Sequence, residues 1–130
     1  MTTTAYDPSR IYLHLDRGRA EPMAVDETFW PGVMRGSRLL PGWLVAMYEW
    51  APAEEAPGGG HSEVHPLGDE VHVCLAGAMT AVLEHDGGDE RVDFGAGEAC
   101  VIPIGVWHHL MARAPSRVLS MTFGEGSQHR

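Results

Sequence analysis

Short apolar runs separated by turn residues, rather than long amphipathic periods, organise this chain. Ile11 to Leu15 has strand character, and Trp43 to Trp50 is a longer run in which Leu44, Ala46, Tyr48 and Trp50 share one face. Side chains alternate in an extended strand, so that face lines a core or a pocket. Further strands are expected around 61–65, 70–76, 78–85, 90–94, 98–103, 107–112 and 117–123. Asp86-Gly87-Gly88-Asp89 is the clearest hairpin signal, because Asp and Gly accept the backbone angles of a tight reversal. Residues 51–60, rich in Pro, Glu, Ala and Gly, read as a loop, and no helix of conventional length, internal repeat or second domain is evident. This spacing predicts an all-β fold, a small antiparallel sandwich or barrel. One domain is expected over 1–130: an N-terminal arm and edge strands at 1–42, a barrel core at 43–123, and a tail at 124–130 for which fraying is the default, with His129 able to fold back over the barrel mouth as the alternative.

Two stretches of this pattern carry chemistry. The first is Glu63-x-His65-x4-Glu70, closing at Gly77, and the second is Gly97-x5-Pro103-x-Gly105-x2-His108. Imidazole nitrogen and carboxylate oxygen suit a borderline or hard divalent ion. Glu63 and His65, two residues apart, project to one side of an extended strand about 6 to 7 Å apart. The turn at Pro66-Leu67-Gly68-Asp69 returns Glu70 to the same neighbourhood, and Pro103 and Gly105 shape the turn that delivers His108. The two hairpin-like segments can converge on one ion. His61 lies on the same strand face and rivals Glu63 for the fourth position; the two-residue step between Glu63 and His65 favours Glu63.

These residues resemble the motifs of the cupin superfamily, G-x5-H-x-H-x3–4-E-x6-G and G-x5-P-x-G-x2-H-x3-N. The second motif is matched from Gly97 through His108 and departs at its last place, where Ala112 stands for Asn. The first is matched at His65, Glu70 and Gly77; Glu63 replaces its first histidine, and Pro57, beside Gly58-Gly59-Gly60, stands where its leading Gly would fall. The resemblance implies a double-stranded β-helix, or jelly roll, with metal ligands His65, Glu70 and His108 and with Glu63 in place of the missing imidazole. Two imidazoles and two carboxylates form a harder shell than three histidines, which favours Fe(II) or Mn(II) over Cu and leaves Ni and Zn open. Ligand imidazoles must be neutral, so metal affinity is expected to fall below a pH of about 6.5.

The activity implied is that of a metal-dependent small-molecule enzyme. An Fe(II) dioxygenase is expected first, with a redox-neutral lyase, isomerase or cyclase next and a non-catalytic binding module third. Glu63, Glu70 and His72 are the catalytic candidates: the carboxylates hold the ion or move a proton, and His72, two residues past Glu70, orients a ligand or meets substrate. Tyr48, Trp50, His61 and Cys74 are the substrate-pocket candidates, with Trp43 and Trp107 as further aromatics. His109 points away from His108 along its strand and reads as structural or interfacial. Pairing as a homodimer is expected through an edge strand, with Phe29, Trp30, Leu39 and Leu40 of segment 10–40 at the interface.

Charge removes several other classes. The basic residues are nine arginines with no lysine, which excludes Schiff-base chemistry on a lysine side chain. A net charge of −9 without a basic stripe excludes nucleic acid and anionic membranes as expected partners. Arg35, Arg38 and Arg117 are the candidates for meeting an acidic substrate. Cys74 and Cys100 fall inside predicted strands and read as buried thiols. No apolar run is long enough for a membrane span and the opening Met1-Thr2-Thr3-Thr4 lacks signal-peptide features, so a cytoplasmic protein is expected.

Overall fold

The computed structural model describes residues 4–52 and 61–130. Residues 53–60, including Pro57 and Gly58–Gly60 of the first motif's leading frame, lie outside the described residues. The elements run β1 (Ile11–Asp16), β2 (Arg19–Ala24), α1 (Phe29–Met34), β3 (Trp43–Trp50), β4 (Glu63–Val64), β5 (Glu70–Ala76), β6 (Ala78–His85), β7 (Gly88–Gly95), β8 (Ala99–Ile102), β9 (His108–Ala112), β10 (Ser116–Phe123) and β11 (Gln128–His129). They build two antiparallel sheets, ordered β2-β1-β3-β10-β5-β8 and β11-β4-β9-β6-β7. The predicted barrel is thus a jelly-roll sandwich whose sheets do not close on each other through a common ladder of hydrogen bonds among the described residues.

Alternation places the core. Leu44, Ala46 and Tyr48 of β3 share their inner face with Ser120 and Val118 of β10, and with Glu70, His72 and Cys74 of β5. One end is apolar, where Cys74, Met79, Ala81, Leu83, Phe94, Cys100, Ile102 and Val118 pack together. Cys74, expected at the substrate pocket, is instead fully buried in this cluster and gives its thiol hydrogen to the Ala76 carbonyl, so it does not line the pocket. It lies two residues beyond His72 on an inward face that has become solid packing.

A second cluster, Tyr12, Phe29, Leu44 and Ala46, closes the other end. It is built around α1, a six-residue helix that the sequence pattern missed because one and a half turns are too short to show a helical period. The Asp26 carboxylate accepts hydrogen bonds from the Thr28 amide and hydroxyl, which turns the chain into the helix. Gly36, at φ 72°, ends it. Phe29 is fully buried in this cluster, edge-on to Tyr12, and so is unavailable to an inter-chain surface; Trp30 and Leu39 remain exposed.

The tail differs as well. Gln128 and His129 pair with Val64 and Glu63, so β11 within the tail forms the edge of the smaller sheet instead of fraying. No helix among the described residues is long and apolar enough to cross a membrane.

Gly77 ends β5 at φ 90°, and a Cβ there would collide with the Ser116 hydroxyl and the Pro115 carbonyl. Gly77→Ala combines backbone strain with that collision and is expected to cost about 1 to 3 kcal/mol of unfolding free energy in a urea titration. An unchanged midpoint would show that the β5–β6 turn relaxes freely.

Candidate metal centre

The two chemical motifs meet because their turns are tied to each other. The Gly105 amide donates to the His65 carbonyl at 3.0 Å, and the Ile104 amide donates to the Asp69 carboxylate at 2.8 Å. β4 pairs with β9 so that Glu63 lies opposite His108, while Glu70 opens β5 on the facing sheet. One ligand atom from each of Glu63, His65, Glu70 and His108 lies within 4.8 Å of all the others. The Nε2 atoms of His65 and His108 stand 3.1 and 3.0 Å from the two oxygens of Glu70, and both stand 3.5 Å from Glu63 Oε1.

The outer nitrogens fix what the inner ones can do. His108 Nδ1–H donates to the Val106 carbonyl at 2.9 Å, an atom that can only accept. His65 Nδ1 meets Ser127 Oγ at 2.6 Å, and the Ser127 hydroxyl spends its one hydrogen on the Gly124 carbonyl at 2.7 Å. Both rings therefore carry a proton on Nδ1, and when neutral both aim an Nε2 lone pair at two carboxylates. Among the described residues the buried His65 Nε2 has no hydrogen-bond partner, although a Glu70 oxygen stands 3.1 Å from it. Lone pairs facing carboxylates repel unless a cation stands between them. A divalent ion fits this donor set, and so do two protons.

In the metal-free protein the protons take that role. Burial works to lower the pKa of His65, but Glu63 and Glu70 outweigh it and raise it to about 9. His108, under the same opposition, is carried to about 10 by Glu63, Glu70 and the Val106 carbonyl. Burial would raise the carboxyls, yet the imidazoles of His108 and His65 bring Glu63 down to about 2, and with His72 they hold Glu70 well below the usual range. The pH window expected for metal loss, below about 6.5, accordingly moves upward.

The two carboxylates are not equivalent. Glu70 is 3% exposed; its Oε1 accepts from His72 Nε2–H at 2.6 Å and its Oε2 from the Thr122 hydroxyl at 2.6 Å. His72 is braced in turn by Ser120 at 2.8 Å. Glu63 has a 35% exposed side chain, sits on a two-residue strand, and among the described residues pairs with imidazoles, those of His65, His108 and, at 3.9 Å, His129.

A cavity of about 1480 Å³ opens from this cluster. Tyr48, Trp50 and His61 line it, as do His72, Ser120, Thr122 and, unexpectedly, His109. His61 is exposed and stands outside the four-residue cluster. The remaining wall is mostly apolar, with Trp30, Val33, Leu40, Leu44 and Leu110, and Arg35 and Arg38 also reach it. Arg38 lies 4.9 Å above the Phe29 ring, whereas Arg117 pairs with Glu49 and does not line the cavity. Two aromatics leave the candidate pocket: Trp43 packs edge-on against Phe123, and Trp107 lies 4.1 Å under the Arg130 guanidinium. Of the residues the sequence reading passed over, Ser120 and Thr122 could have been found from the inward alternation of β10; Ser127, in an irregular tail, carried no such signal.

No protein-family model and no curated protein matches the sequence. Solved structures do match. A cupin-2 domain protein of Shewanella frigidimarina is 22% identical, with 62% of this chain and 69% of that one covered and a TM-score of 0.48. An oxalate oxidase is 18% identical over 68% of this chain and 45% of its own, with a TM-score of 0.52. The Bacillus subtilis oxalate decarboxylase, described with Mn(II) centres, is 15% identical over 82% of this chain and 26% of its own, with a TM-score of 0.53. The chain thus spans less than half the length of either oxalate enzyme. These likenesses are of fold, and the fold is the cupin jelly roll.

Proposed function

We propose that this cupin-fold chain is a metal-dependent enzyme acting on a small organic molecule, and that it is an Fe(II) dioxygenase with Glu63, His65, Glu70 and His108 as the metal ligands. The observation that supports this most directly is the pair of imidazoles locked on their outer nitrogens so that both Nε2 atoms face two carboxylates at the base of a cavity. Fe(II), when bound, would supply the redox chemistry that lets dioxygen react with the organic substrate, both oxygen atoms entering the product so that no outside reductant is needed. Mn(II) also suits the shell, and the fold likeness to an Mn(II)-containing oxalate decarboxylase makes it the second metal to test.

The chain's own residues then divide the work. His65, His108 and Glu70 hold position; the hydrogen bonds from Thr122 and His72 keep the Glu70 carboxylate from rotating. Glu63, half-exposed and lacking such braces, is the group free to take a proton from substrate or return it. That freedom also favours the second reading, a redox-neutral lyase or isomerase in which Glu63 moves the proton. The apolar part of the wall, with Trp30, Val33, Leu40, Leu44 and Trp50, suits a substrate with a compact apolar body, unlike the small dianion handled by the oxalate enzymes.

Oxygen uptake by Fe(II)-loaded protein over a panel of small apolar acids and enols is expected, and it should stop on replacement of Glu70. Equal turnover under strict anaerobiosis would eliminate the dioxygenase and leave the redox-neutral reading. Tight substrate binding without product in any metal form would leave a binding module.

A further inference from the structure

The C-terminal segment is strapped onto β4, which carries Glu63 and leads directly into His65. Arg130 and Ser62 exchange both backbone hydrogen bonds at 3.0 Å, Gln128 and His129 pair with Val64 and Glu63, and the Arg130 guanidinium reaches Glu84 at 3.0 Å. Gly126, at φ 77°, lets the chain double back, and the Ser127 amide and hydroxyl both close on the Gly124 carbonyl. That closure consumes the only hydrogen on Ser127 Oγ, which leaves the oxygen as an acceptor for His65 Nδ1–H.

The two imidazoles of the cluster are therefore oriented by different means. His108 is held by a carbonyl two residues away on its own approach to β9, whereas His65 is held by a hydroxyl 62 residues away in sequence. We infer that Ser127 is a positioning residue of the metal centre: it sets the rotamer and proton placement of His65, and through it the docked tail becomes a part of the site. The inference rests on the metal reading above. Second partners of ligand imidazoles commonly contribute 10- to 100-fold to metal affinity, because they fix the ring and make its inner nitrogen a better donor.

The test uses the full chain with Mn(II) as the probe, free ion being counted by its EPR signal. Ser127→Ala is expected to weaken Mn(II) binding by about 10- to 100-fold, and Ser127→Thr, which keeps a hydroxyl, to restore most of it. In the metal-free protein the His65 Nδ1–H should give a protected proton resonance in the parent and in Ser127→Thr, and lose it in Ser127→Ala. Unfolding midpoints of the metal-free variants separate positioning from damage to the fold: equal midpoints with weaker Mn(II) binding support the inference. Parental Mn(II) affinity in Ser127→Ala, or absence of the protected resonance in the parent, overturns it. Failure of the parent to bind Mn(II) or Fe(II), with the resonance present, would instead remove the metal reading and reduce Ser127 to a structural contact.

Discussion

Glu70→Gln is expected to lower divalent-metal affinity by more than 100-fold, a larger loss than that of an outer partner. The change is almost isosteric, so the loss comes from charge and from hydrogen bonding. Oε1 and Oε2 together accept from His72 and Thr122 and face both imidazoles, and an amide cannot accept at both of its ends. One of the braced donors would meet an NH2 group in a site that is 3% exposed, a mismatch that costs about 1 to 3 kcal/mol in the metal-free protein. Thr122→Val provides the milder check, since it removes one brace and keeps the carboxylate. Glu63→Gln should weaken binding less, because its side chain is 35% exposed and water can replace part of what is lost. Metal analysis of the purified variants measures the order. Equal metal content in Glu70→Gln and the parent would take this carboxylate out of the shell.

The second large effect is a crossing of two pH dependences. In the metal-free protein His65 and His108 have folded pKa values of about 9 and about 10 against about 6.5 unfolded. Their contribution to stability is thus complete below 6.5 and disappears as pH rises through 9 to 10. Glu63 behaves oppositely: with a folded pKa of about 2, its contribution is complete above its model value of 4.5 and disappears as pH falls toward 2. The metal-free protein should therefore be most stable between about 4.5 and 6.5 and should weaken in alkali. Metal binding runs the other way. The ion must displace a proton from each imidazole, so affinity should climb by up to about a hundredfold per pH unit through the neutral range and level off above 9 to 10. Thermal melts with and without Mn(II) from pH 5 to 10 would show the metal-induced rise in Tm growing while the metal-free Tm falls. A metal-induced rise independent of pH would mean that the imidazoles are not ligands.

Much of this site could be read from the chain because its parts are local. Glu63, His65 and Glu70 lie within one turn of each other, and Gly97, Pro103 and Gly105 mark the turn before His108, so spacing alone places the donors. The strands from 70 to 123 were equally visible, since each is a short run bounded by Gly or Pro, even where, as in β6, both faces are buried and alternation is lost. What escaped depended on distant pairing or short elements. α1 is too brief to show a period; β11 exists only because β4 offers an open edge; and Ser127 becomes informative only beside a ring that its own neighbourhood does not mention. Cys74 failed for the opposite reason. Its inward direction was right, but alternation cannot tell an open stretch of interior from a filled one.

In the proposed metal centre the unequal footing of the two carboxylates would separate how tightly an ion is kept from how quickly it is exchanged. Glu70, clamped from behind, would govern retention, and Glu63, on a two-residue strand with a part-exposed side chain, would be the bar that swings aside, so chelator-driven release and reloading are expected to follow its motion. Substitution at 63 would thus register first in the time course of metal exchange, even where the equilibrium content of the protein barely changes.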